Sequence, residues 1–143
     1  MPKITLYITN HNYGKYLEES IESAMCQTCR DFELLIIDDS STDNSHAIIE
    51  EYRDKQNISI FYLNNRSHIK NANFALQKAK GKYFMRLDAD DRLDPNALLV
   101  LSHYLDENEN TAAVFPGYYL TDKEGTITEM VRRSEKTEPL KKK

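Results

Sequence analysis

The chain has 143 residues, 19 Lys+Arg against 23 Asp+Glu, 40% apolar and 29% charged residues, which is the size and make-up of one soluble domain. Its charge is uneven. Residues 132–143 hold 6 basic and 2 acidic side chains, which leaves 13 basic against 21 acidic in residues 1–131. An acidic body excludes a binder of the nucleic-acid backbone, which needs a basic face, and suits a protein that gathers carboxylates around a cation. No apolar run reaches the roughly 20 residues of a membrane span. Ile4 to Thr9 is too short for the apolar core of a signal peptide. With two cysteines and no export signal, a reducing cytoplasmic setting is expected.

In chain order, Ile4 to Thr9 is β-branched and aromatic and reads as a buried strand. Asn10 to Gly14 is turn chemistry, and Leu17, Ile21, Ala24 and Met25 then fall at helical spacing. Phe32 to Ile37 is a second strand that runs into Asp38-Asp39. Ser40 to Asp43 offers N-caps for a helix through about Arg53. Ile58 to Leu63 is a third strand. Ile69, Ala72, Leu76 and Ala79 mark a third helix, stopped by Gly81. Lys82 to Leu87 is a fourth strand that meets Asp88-Ala89-Asp90-Asp91. Asp94-Pro95 opens a helix carrying Leu98, Leu101 and Leu105. Thr111 to Tyr119 is a fifth strand, followed by a hairpin turn at Asp122-Lys123-Glu124-Gly125. Alternating strands and helices predict an α/β fold with a mostly parallel sheet, whose ligands bind beyond the carboxyl ends of the strands. With a core order 3-2-1-4, the polar clusters after the first, second and fourth strands converge.

Asp88, Asp90 and Asp91 form the sharpest cluster. Asp88 and Asp90, two apart at the end of a buried strand, point the same way while the backbone stays extended. Close carboxylates repel unless one is protonated or a cation sits among them. A hard divalent ion, Mn²⁺ or Mg²⁺, takes one or two carboxylates and keeps positions open for phosphates. A solvated, helix-capping turn is the alternative. Asp39, past a strand end, suits hydrogen bonds from a base or ribose, whereas Asp43 reads as a helix cap. Arg66 and Lys70 suit a base or pyrophosphate, or else a solvated loop. Cys26-Gln27-Thr28-Cys29 lacks the second ligand pair of a zinc site and closes a helix where a redox pair opens one. Of His11, His46, His68 and His103, His11 alone falls near these clusters.

The ordered set resembles the N-terminal half of family 2 glycosyltransferases with the Rossmann-like GT-A fold, over nearly residues 3 to 120. It comprises Thr9-Asn10-His11-Asn12, then Ser23-Ala24-Met25-Cys26-Gln27-Thr28, then Asp31-Phe32-Glu33 with Asp38-Asp39-Ser40-Ser41-Thr42-Asp43. Asn71-Ala72-Asn73, Ala79-Lys80-Gly81 and Asp88-Ala89-Asp90-Asp91 complete it. The resemblance implies transfer of a sugar from a nucleoside-diphosphate sugar, UDP-linked by expectation, with inversion, to a saccharide or lipid-linked acceptor in cell-surface polysaccharide or glycan synthesis. It implies a nucleotide pocket in which Asp39 meets the base, Thr9, His11 and Asn12 line the turn and Asp88 lies by the ribose and metal, with Asp90 on the metal. The carboxylate cluster itself adds Asp91 to the metal set, and Arg66 or Lys70 is expected to supply the positive charge that the family pattern places elsewhere. Ser40 stands where the family has glycine, Ser67 at its loop glycine and Ala72 at its arginine. The expected organisation is a nucleotide-sugar-binding domain over 1–131, the first part of a longer catalytic domain, and a basic tail over 132–143. For the tail, disorder, a linker and contact with the inner face of a membrane stay open. No residue matches the family's general base. The competing readings are a nucleotide-binding fragment without turnover, a haloacid-dehalogenase-like phosphatase with Asp88 as nucleophile, and a receiver-like interaction domain.

Overall fold

The computed structural model describes residues 1–132, so the basic tail, apart from Arg132, lies outside the described residues. Four strands, β1 (Ile4–Asn10), β2 (Phe32–Asp39), β3 (Ile58–Leu63) and β4 (Tyr83–Asp88), form one parallel sheet in the order β3-β2-β1-β4. This is the 3-2-1-4 order expected from the alternation. Helices α1 (Gly14–Met25), α2 (Ser45–Glu50) and α3 (His68–Lys78) make the crossovers, and α4 (Ala97–Glu107) follows β4.

The core lies on both faces of the sheet, because successive strand side chains point to opposite sides. Ile4, Leu6, Ile8, Leu34 and Ile36 pack with Leu17 and Ile21 of α1, Ile49 of α2 and Leu98 of α4. Tyr7, Leu35 and Ile37 pack with Ala75 of α3 on the other face. Every residue of β2 is buried, which is why it reads as a continuous apolar run. Each of Leu34, Leu35, Ile36 and Ile37, fully buried, contributes about 1.5–3 kcal/mol.

Four local expectations are corrected. The second helix ends at Glu50, and Glu51 to Asp54 continue only as turns. Gly81 is not a left-handed helix stop: Ala79, the C-cap, is extended at φ −61° and ψ 135°. Gly81 is instead required by close approach, since a Cβ there would collide with the Thr5 N and lie 2.5 Å from the Ile4 carbonyl carbon. The fourth strand is not buried. It is an edge strand with alternate residues exposed. Residues 111–117 form no strand, and β5 (Tyr118–Thr121) begins only after Pro116 and Gly117, because proline brings no N–H to a ladder.

The chain divides into two compact units, Met1–His103 and Tyr104–Lys143. The second contains the antiparallel hairpin of β5 and β6 (Ile127–Val131). Its turn is the expected one: Gly125 adopts φ 82° and its N–H donates to the Asp122 carbonyl at 3.1 Å. Among the described residues no helix is long and apolar enough to cross a membrane.

Candidate functional site

The carboxyl ends of β1, β2 and β4 meet at one edge. In register, Asn10 lies opposite Asp38, and Thr9 lies between Ile37 and Asp88. The loops leaving β1, β2 and β3 each contain one non-glycine residue in the left-handed region: Asn12 at φ 61°, Ser40 at φ 66° and Arg66 at φ 47°. Each costs about 1–2 kcal/mol and persists only where its surroundings over-determine it. Ser40 therefore keeps the backbone shape expected of the family's glycine. In the next loop the left-handed residue is Arg66, while Ser67 is extended and caps α3 through its side chain.

The first two loops are sewn together. The Asn10 amide donates to Asp38 Oδ2 at 2.7 Å and to Ser41 Oγ at 3.0 Å. Asn12 N donates to Ser41 Oγ at 2.9 Å, and Thr42 N donates to Asn12 Oδ1 at 2.7 Å. Asp38 is buried and also accepts from Ser41 N and His46 Nε2, both at 3.0 Å. Spacing along the chain did not single out His46, but the fold returns it to this edge. His11 Nδ1 lies 2.7 Å from the Asp39 carbonyl. A carbonyl only accepts, so Nδ1 carries the proton and, in the neutral ring, Nε2 is left as an acceptor.

Asp39 is 5% exposed, and its carboxylate takes four donors. Oδ1 accepts from Asn65 N at 2.8 Å and Arg66 N at 3.0 Å; Oδ2 accepts from Ser67 N at 3.2 Å and the Asn71 amide at 2.7 Å. Burial alone would raise its pKa, but these donors together hold it below the usual carboxylate value. Four donors match the lone-pair capacity of a carboxylate. Asp39 thus holds the Asn65–Ser67 loop that presents Arg66 and, one turn into α3, Lys70. Both are exposed. Asn44, not Asp43, is the N-cap of α2, but from one position earlier the Asp43 carboxylate accepts from Ser45 N at 3.0 Å and, at the start of α1, from Gly14 N at 2.8 Å. Its pKa is lowered too, the donors outweighing burial.

Asp88, Asp90 and Asp91 present a different surface. Asp88 ends β4, and the chain turns at once, Asp91 N donating to the Asp88 carbonyl at 3.0 Å. Asp88 and Asp90 therefore do not share one extended strand, as the D-x-D spacing had suggested. Arg86 Nε donates to Asp88 Oδ1 at 2.6 Å, and the pair is roughly half exposed. A cation does sit beside one carboxylate, and it is the chain's own. Asp90 and Asp91 are exposed. Partial desolvation, then the charges of Asp90 and Asp88, raise the Asp91 pKa against the pull of Arg86. Among the described residues no three His, Cys, Asp or Glu side chains converge on a metal position, so these aspartates form no ready three-carboxylate cage. They do offer exposed hard oxygens, which fits an ion held by one or two carboxylates with phosphate oxygens completing the shell.

Side chains of α1 and of the segment just after it reach this loop. Ser20 Oγ donates to the Asp88 carbonyl at 3.1 Å, Leu93 N to Ser23 Oγ at 3.1 Å, and the Gln27 amide to the Asp94 carbonyl at 2.8 Å. Polar residues at positions 20, 23 and 27, among the buried Leu17, Ile21 and Ala24, were the available signal.

The family description that matches the chain is Glycosyl transferase family 2, over residues 5–143. An uncharacterized glycosyltransferase of Methanocaldococcus jannaschii is 35% identical over 130 residues, 88% of this chain and 45% of that protein. Chondroitin synthase of Escherichia coli is 30% identical over 128 residues, 89% of this chain and 19% of the synthase. The chain thus spans less than half the length of these relatives. Among solved structures, S. aureus TarS 1–349 superposes with a TM-score of 0.69 at 30% identity, over 75% of this chain and 33% of that one. The same protein in complex with UDP-GlcNAc gives 0.68 at 25% identity, over 83% of this chain and 40% of that one.

Proposed function

The chain belongs to glycosyl transferase family 2, and from that premise we propose that it binds the donor in a metal-dependent transferase acting on a nucleoside-diphosphate sugar, UDP-linked. The UDP-GlcNAc complex of TarS supports the donor class. Transfer with inversion to a saccharide or lipid-linked acceptor, for cell-surface polysaccharide or glycan synthesis on the cytoplasmic side, completes the reading. Both rivals that need an aspartyl phosphate lose ground to the family match.

One observation carries the proposal. Asp88 ends β4 in register beside Thr9, the exposed Asp90 and Asp91 follow it, and the loops leaving β1, β2 and β3 at the same ends of their strands each hold a left-handed residue. Asp88, Asp90 and Asp91 are the candidate ligands of Mn²⁺ or Mg²⁺, with one or two of them engaged. When bound, such an ion stabilises the charge that develops on the departing nucleoside diphosphate. Thr9, His11, Asn12, Asp39, Arg66, Lys70 and Asp88 form the nucleotide side. His11 offers Nε2 as an acceptor. Arg66 and Lys70 bring positive charge to the rim. A base N–H reaches the Asp39 carboxylate only by displacing one of its loop donors, so Asp39 acts chiefly through the loop it holds.

Calorimetry with UDP, GDP and dTDP, with and without Mn²⁺, tests this reading. Metal-dependent binding of at least one, UDP foremost, is expected. No detectable heat at millimolar nucleotide overturns it.

A further inference from the structure

Resting on that metal-site reading, we infer that Gln27, with Ser20 and Ser23, is a positioning residue that fixes the loop carrying Asp90 and Asp91. Ser20 and Ser23 lie at i and i+3 on one face of α1, and Gln27 follows just past the C-cap Cys26. Gln27 and Ser20 are fully buried. The Gln27 amide nitrogen donates to the Ser23 carbonyl at 3.1 Å and the Asp94 carbonyl at 2.8 Å, and Oε1 accepts from Leu98 N at 3.0 Å. Both amide protons and the oxygen are used, so the side chain has one orientation. Thr28 extends the seam, its N–H donating to the Pro95 carbonyl at 2.8 Å.

These contacts bracket the acidic loop. Ser20 grips its first residue at the Asp88 carbonyl; Ser23 and Gln27 grip its far side at Leu93, Asp94 and Leu98. Ala89 is pinned in the core between them. Asp90 and Asp91, which lie within the bracket, are exposed. The loop is held at both ends, and between them Asp90, Asp91 and Arg92 are exposed. A metal site with few protein ligands depends on such outer support, and losing one supporting partner typically lowers metal affinity about 10–100-fold. The Ser-x-x-x-Gln-Thr segment at 23–28 thereby gains a role: it sets the carboxylates without touching metal or nucleotide.

The test compares Gln27→Leu and Ser23→Ala with the wild-type 143-residue chain, measuring UDP affinity by calorimetry in Mn²⁺ and again in EDTA. Gln27→Leu is expected to lose about tenfold of the affinity in Mn²⁺ while keeping the EDTA affinity. Ser23→Ala, which removes one hydroxyl and keeps the buried amide, is expected to lose less in the same pattern and serves if Gln27→Leu fails to fold. Wild-type affinity in Mn²⁺ for both variants overturns the inference. So does an equal loss in Mn²⁺ and EDTA, which marks general damage. A wild-type chain that binds UDP no better with Mn²⁺ than without overturns the metal reading and this inference with it.

Discussion

Two strands of the same sheet end in aspartates, and the two ends behave oppositely. After β2, Asp38 and Asp39 are buried and hydrogen-bonded on every side, by Asn10, Ser41 and His46 in one case and by the 65–67 backbone and Asn71 in the other. After β4, Asp90 and Asp91 are exposed, and the Asp88 carboxylate, itself half exposed, accepts from Arg86. The difference follows from position. β2 is central, so neighbouring loops close over its end; β4 is an edge strand. Carboxylates of the first kind organise protein. Carboxylates of the second kind are free to take a ligand from solution.

The largest effect expected from this contrast is at Asp39. Asp39→Ala strands three backbone N–H groups and the Asn71 amide and should cost about 3 kcal/mol in urea unfolding. Asp90→Ala, exposed, should change stability by less than about 0.5 kcal/mol. Equal losses would erase the distinction.

Ligand response should run the other way. Mn²⁺ with UDP at about 100 times the dissociation constant should stabilise the chain by about 2.7 kcal/mol, seen as a raised melting temperature. Asp90→Asn should abolish the Mn²⁺-dependent part of that rise. Asp43→Asn should keep it, though at a lower baseline, because one amide oxygen cannot serve both Gly14 N and Ser45 N as the carboxylate does.

Acid should separate the two ends by sign. Asp39 and Asp43 have lowered native pKa values, so their stabilisation is complete above the unfolded value of about 4 and is lost as pH falls through the native values. Asp91 has a raised native pKa, so its charged form opposes folding and its protonation relieves that as pH falls. Urea midpoints from pH 7 to pH 3 should therefore fall less steeply at the acid end in Asp39→Asn than in wild type. Asp91→Asn should show its gain over wild type at pH 7 and lose that gain in acid. A gain that persists below pH 4 would rule out charge as its cause.

The smallest expected effect is at Arg86. The Arg86–Asp88 pair is about half exposed, and such pairs are worth about 0.2–1 kcal/mol. Arg86→Gln should shift the urea midpoint by no more than that at low salt, and the shift should shrink in high salt as screening rises.

The order of strands was legible because apolar runs and helical periods are local signals, and each crossover in a parallel sheet has one favoured hand. The clusters at 9–12, 38–43 and 88–91 were legible for the same reason: each is a run of polar residues directly after a strand pattern. The division of labour among them was not. Asp39 and Asp90 look alike as acids after a strand, and only the surroundings make one a loop anchor and the other a surface carboxylate. Gln27 and Ser23 were visible as a motif but without a role, since their partners at 93–98 are about 70 residues away.

The sequence by itself determined the alternation of elements, the family and the edge of the sheet where chemistry gathers, because these rest on spacing along the chain. Tertiary structure decided which donors reach which carboxylate. It gave Asp39 four partners and left Asp90 facing solvent, and it turned Gly81 from a presumed helix stop into a close contact with β1. The physical reason is that a carboxylate's availability depends on whether buried N–H groups compete for its lone pairs, and those N–H groups come from segments that only the fold brings near.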